Sequence, residues 1–99
     1  MKAPVKPVEY PTVPDTTIKV GDRVRTFDFP DNARCYWVGT VESILPLTHQ
    51  YRIKVEYQVW ENERESDNYC DAVCPPINGL RGIFGPTRGV QRIGEGGEA

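Results

Sequence analysis

From position 51 to 60 the chain alternates without interruption. Tyr51, Ile53, Val55, Tyr57 and Val59 fall on one side, and Arg52, Lys54, Glu56, Gln58 and Trp60 on the other. A period of two sustained over that length is incompatible with a helix and dictates an antiparallel strand with one face on a core. Trp60 is the odd member, an indole on the polar side that either covers the end of the fold or stands out as a contact residue.

The flanking sequence supplies partners for this strand. Residues 18–28 read as strand, turn, strand, with Gly21-Asp22 marking the turn or bulge, and Phe29-Pro30-Asp31-Asn32 ends the run because Pro and Asx residues favour turns. Residues 35–45 form a long second strand with Gly39 inside it, where a glycine is expected only if the chain bends or bulges. The apolar set Val41, Ile44 is out of phase with the part before Gly39, which a bulge explains. A turn over 46–50 joins this strand to the alternating one. Residues 61–69 extend the hairpin or form a solvated loop, 70–75 hold a short strand, Asn78-Gly79 is a turn, and 90–93 close the sheet.

The two ends read differently. Pro4, Pro7, Pro11 and Pro14 fix φ and remove amide donors, so residues 1–16 are expected to be a disordered, extended lead-in. Their two Pro-x-x-Pro frames and an edge strand near Val8 and Tyr10 are the alternatives. Residues 95–99 are expected to be a disordered tail, which leaves 17–94 as the one domain that 99 residues allow.

Val20-Gly21-Asp22-Arg23-Val24, Trp37-Val38-Gly39-Thr40-Val41 and Tyr51-Arg52-Ile53-Lys54-Val55 together resemble successive strands of SH3-like barrels of the KOW and Tudor sort. The resemblance covers residues 18–60, with 90–93 as a last strand. It implies an all-β, small, SH3-like, partly open barrel carrying a Gly-rich loop between disordered termini. Barrels of this sort bind peptides, methylated side chains or nucleic acid, and the fold alone selects none of these.

Composition narrows the function by exclusion. The formal net charge of −2 carries no chain-wide basic signal, and residues 61–71 alone hold −4. No apolar run reaches membrane length and no leader-type apolar stretch opens the chain, so a cytoplasmic location is expected. His49 is the one histidine and sits in a turn, which gives a nucleophile no base on a framed element. Cys35, Cys70 and Cys74 are too dispersed for a zinc site and odd in number for a disulfide framework. No phosphate-binding glycine motif is present. The expectation is therefore a non-catalytic interaction module with no metal and no cofactor, binding protein; a nucleic-acid-associated module and a self-assembling structural subunit are the alternatives.

Two surfaces are candidates for contact. The first is the Gly-rich loop 79–89, where Leu80, Ile83 and Phe84 offer apolar area and Arg81 and Arg88 planar donors. It either binds or folds back to plug the barrel. The second is an aromatic and basic face comprising Arg25, Arg34, Tyr36, Trp37, Arg52 and Trp60. Extended with Lys19, Arg23 and Lys54, it becomes the stripe a nucleic-acid backbone would need. Phe27, Phe29 and Tyr57 join Tyr36, Trp37 and Trp60 in a further expectation, an aromatic pocket at the barrel mouth or a shared aromatic core.

Overall fold

The computed structural model describes residues 3–13, 15, 17–29, 32–65, 70–75 and 89–95, with Gly94 and Glu95 described by backbone alone. The alternating stretch is strand β4, Gln50–Trp60, and it is the axis of the sheet. Its hairpin partner is β3, Tyr36–Leu45, and β3 in turn pairs with β2, Asp22–Phe27. The remaining strands among the described residues are β1 (Ala3–Pro4), β5 (Glu63–Arg64), β6 (Ala72–Val73) and β7 (Val90–Glu95). The sheet runs β1-β5-β4-β3-β2-β7, with β6 added to β4, and every pairing is antiparallel. The fold is all-β, and no described residue is helical.

Curling follows from what meets in the core. Val73 on β6 and Val90 on β7 lie at opposite ends of the strand order, yet both pack with Val24, Val41, Tyr51, Ile53 and Ile18 in one cluster. The sheet therefore wraps around that face into a small, partly open barrel. Ile53, Val24 and Val41 are at most 1% exposed and form its centre.

A second cluster, Phe27, Tyr36, Val38 and Val59, is separate from the first. Val24 and Phe27 on β2, and Val38 and Val41 on β3, are three residues apart, so a period of two puts the members of each pair on opposite faces. One face is the concave interior and the other the convex exterior. On β4 the exchange is made by a bulge. Val38 pairs with Tyr57 but Gly39 with Val55, so Glu56 is an extra residue and the phase flips there. On β3 the bulge expected after Gly39 is found, since Val41 pairs with Ile53 and Ser43 with Arg52, leaving Glu42 over. Gly39 is required by closeness, because a Cβ would lie 2.1 Å from the carbonyl oxygen of Lys54.

The turn before β2 is built as its sequence suggests. Asp22 N–H donates to Lys19 O at 3.1 Å and Gly21 has φ 96°, the conformation that glycine supplies at the third position of a type II turn. The Asp22 carboxylate, 2% exposed, accepts from Lys19 N–H at 2.9 Å and has Lys19 Nζ at 3.4 Å and the Arg92 guanidinium at 3.7 Å. The Lys19 amide, supported by the two cations, holds this carboxyl below its usual range against the opposing effect of burial.

The N-terminal segment differs from the expected unpacked lead-in over residues 3–13. Ala3–Pro4 pairs with β5, Val5 N–H donates to Asn62 O at 2.9 Å, and Val5, Val8 and Tyr10 pack on the convex cluster. Tyr10 lies 5.0 Å, ring to ring, from Phe27. The physical reason is the second cluster itself, since Phe27, Tyr36 and Val38 would otherwise meet water on that face. Proline keeps the segment extended, and an extended segment can present Val5 and Val8 to an apolar surface.

Of residues 61–69, open between hairpin extension and loop, Glu63–Arg64 form β5, and the short strand expected in 70–75 is β6. A two-residue turn at Glu61-Asn62 with φ 53° and 64° joins β4 to β5, the geometry whose twist suits a hairpin. The closing strand expected at 90–93 is β7, paired with β2.

Candidate functional site

The six aromatics considered from sequence divide between the two faces. Phe27, Tyr36 and Tyr57 belong to the convex cluster, with the Arg25 guanidinium 5.0 Å from the Tyr36 ring and that of Arg64 3.9 Å from the Tyr57 ring. Burial raises the Tyr36 hydroxyl above its ordinary range, with Arg25 opposing. This half is packing.

Trp37 and Trp60 lie on the other face, and Phe29 meets Trp60. Beyond the Glu56 bulge, Gln58 and Trp60 share the face of Trp37, because Trp37 and Gln58 are directly opposite on β3 and β4. Phe29 follows β2 and meets Trp60 edge to face, ring centroids 5.9 Å apart. Both rings stand in water, Phe29 46% and Trp60 39% exposed. Trp60 is thus an exposed ring and not a buried cover.

Beside Trp37 lies Asp28, which the sequence reading did not single out. Burial pushes the Asp28 carboxyl above its ordinary pKa range, with the neighbouring side chains of Trp37 and Gln58 opposing. It opens on a recess of about 320 Å³ lined also by Thr26, Trp37, Val73, Cys74 and Pro75. Only its place immediately after an alternating strand and before Phe29 could have signalled it. These two side chains come from two other strands, and one of them, Gln58, faces Asp28 only because of the bulge.

The basic half of the expected face is dispersed and engaged. Arg25 donates to Gln91 Oε1 at 2.7 Å on the convex side. Arg34 pairs with Glu61 at 3.1 Å, Arg52 with Glu42 at 3.1 Å, and Arg23 with Glu56 through two bonds of 2.9 Å. Arg25 and Tyr36 thus lie on one face and Trp37 and Trp60 on the other. The loop candidates Leu80, Arg81, Ile83, Phe84 and Arg88 lie outside the described residues.

Glu61 adds backbone strain beside Trp60. At φ 53° it occupies the left-handed region, costly for a glutamate by about 1 kcal/mol. Its neighbour Asn62 donates its N–H to Arg34 O at 3.0 Å, which ties the turn to the loop after Phe29.

All three cysteines are free thiols, Cys35 buried and Cys70 and Cys74 partly so. His49 is exposed at φ 54° in the β3–β4 turn. Among the described residues no three His, Cys, Asp or Glu side chains gather as metal ligands. No protein-family model, curated protein or solved structure matches the chain.

Proposed function

We propose that this chain is a non-catalytic, protein-binding module, an SH3-like barrel whose contact surface is the aromatic mouth formed by Phe29, Trp37 and Trp60. The observation that carries the reading is the exposed Phe29–Trp60 pair. Two large rings in mutual contact are left in water at 46% and 39% exposure, while the aromatics of the convex face are covered by the chain's own N-terminal segment. Aromatic side chains are the residues that anchor interfaces, and each covers much area at small entropic cost. The competing nucleic-acid reading gains nothing from Arg23, Arg34 and Arg52, whose charges are met by Glu56, Glu61 and Glu42.

The test is the double variant Phe29→Ser/Trp60→Ser. It keeps its fold, with stability within about 1 kcal/mol of wild type as for surface positions, and no longer retains the partner that wild type captures from its native host. Unchanged capture by the variant rules out this surface. If light scattering finds wild type dimeric and the variant monomeric, the partner is a second copy.

A further inference from the structure

We propose that the Asp28 recess is a subsite for one basic side chain, a lysine or arginine of the protein segment bound at the aromatic mouth. The inference rests on the reading of that mouth as the contact surface and adds the chemistry of what it receives.

The first support is an ion pair with one half present. Asp22, Glu42, Glu56 and Glu61 each have a Lys or Arg nitrogen within 3.4 Å. Among the described residues Asp28 has no such cation, although it is drawn further from water than an exposed glutamate. The side chains of Trp37 and Gln58 beside it favour its charged form. A carboxylate has about four lone-pair positions, which can receive a forked or three-donor cation.

The second support is what surrounds that position. The recess of about 320 Å³ has Trp37 in its wall and Val73 and Pro75 beside it, so the methylenes of a long basic side chain would meet apolar surface while its head reached the carboxylate. A cation at the carboxylate would also meet the ring of Trp37, whose face attracts positive charge.

The experiment uses the full chain and three small probes: Nα-acetyl-arginine amide, Nα-acetyl-lysine amide and the neutral Nα-acetyl-citrulline amide. Binding is followed by nuclear magnetic resonance at the Trp37 and Trp60 indole N–H groups and the Gln58 side-chain amide. The expected result is a saturable shift of the Trp37 and Gln58 signals with the arginine or lysine probe, at least tenfold weaker with citrulline, and lost in a folded Asp28→Asn variant. Equal response to arginine and citrulline, or no response from Trp37 and Gln58, overturns the subsite. If the Trp60 signal alone responds, equally in wild type and Asp28→Asn, the cation subsite is wrong while the aromatic mouth remains a contact surface. If Phe29→Ser/Trp60→Ser keeps its partner, the mouth fails whatever the probes do at Asp28.

Discussion

The Arg23 guanidinium holds the Glu56 carboxylate in two bonds of 2.9 Å, and Glu56 is the residue that β4 carries in excess of β3 between Val55 and Tyr57. The ion pair therefore sits on the bulge that turns the two halves of β4 to opposite faces. Hydrogen bonding to Glu56 raises the Arg23 pKa, with burial opposing.

This makes the presence of position 56 more important than its side chain. Glu56→Ala removes a half-exposed ion pair and is expected to cost about 0.5–1 kcal/mol, less at high salt. Deleting Glu56 restores a straight register and sends Tyr57 and Val59 to the concave side, so no cooperative unfolding transition is expected. Urea titrations of the two variants check this, and similar midpoints would contradict the bulge's role.

Two glycines are predicted to respond differently to the same substitution. Gly39→Ala drives a methyl into the Lys54 carbonyl, with the carbonyl carbon at 2.8 Å as well, and backbone cannot swing aside. The loss should reach or exceed about 3 kcal/mol, the upper end of ordinary overpacking. At Gly21 a Cβ meets nothing within 4 Å, and only φ 96° opposes it, so Gly21→Ala should cost about 1–2 kcal/mol. Denaturation midpoints measured side by side distinguish a steric from a conformational requirement.

Asp22 and Asp28 should act with opposite signs on stability against pH. The Asp22 carboxyl is depressed in the folded chain, so its contribution is full above its unfolded pKa and is lost as pH falls through the folded one. The Asp28 carboxyl is raised, so its ionisation costs stability above the folded pKa, a cost relieved as pH falls toward the unfolded value. Asp28→Asn, which keeps an oxygen acceptor beside Trp37 and Gln58, should melt above wild type at neutral pH and converge with it in acid. Asp22→Asn should melt below wild type at neutral pH, and that gap should close in acid. Tm measured across the acid range reads both.

Removing residues 1–13 should lower Tm by several degrees, because Val5, Val8 and Tyr10 cover the cluster around Phe27. Tyr10→Ala alone loses a ring contact worth about 0.5–1.5 kcal/mol beyond its buried area. At about 4–8 °C per kcal/mol for a domain of this size, the loss is visible by calorimetry. A truncated chain that melts with wild type would show the segment to be idle.

Strands β2, β3 and β4 were legible in the sequence because each carried a local signal. Alternation marked β4, Gly39 and the phase of Val41 marked the bulged β3, and Gly21-Asp22 marked the entry to β2. The change of face on β4 was not legible, since Tyr57 and Val59 continue the apolar alternation in sequence while Glu56 breaks it in space. That one hidden residue also concealed the site. Without the flip, Gln58 and Trp60 read as the outer face of a strand, and Asp28 as a turn residue with nothing to bind. The contacts of the N-terminal segment were not legible for a related reason: proline content reports that a stretch cannot form a helix, but not that an apolar surface elsewhere needs covering.

The outer edge of β4 is shared by two short strands, β6 beside Ile53 and Lys54 and β5 beside Val59 and Trp60, with Val55 N–H donating to Asp71 O at 2.9 Å where β6 begins. A long strand with five apolar residues in register is the kind of segment that templates fibrils when its backbone groups are free. Splitting its cover between two partners means that local opening of either one bares only half the length, too little to recruit a neighbouring chain over the whole ladder. Strands β5 and β6 therefore shield from edge-to-edge pairing the strand with the longest apolar alternation.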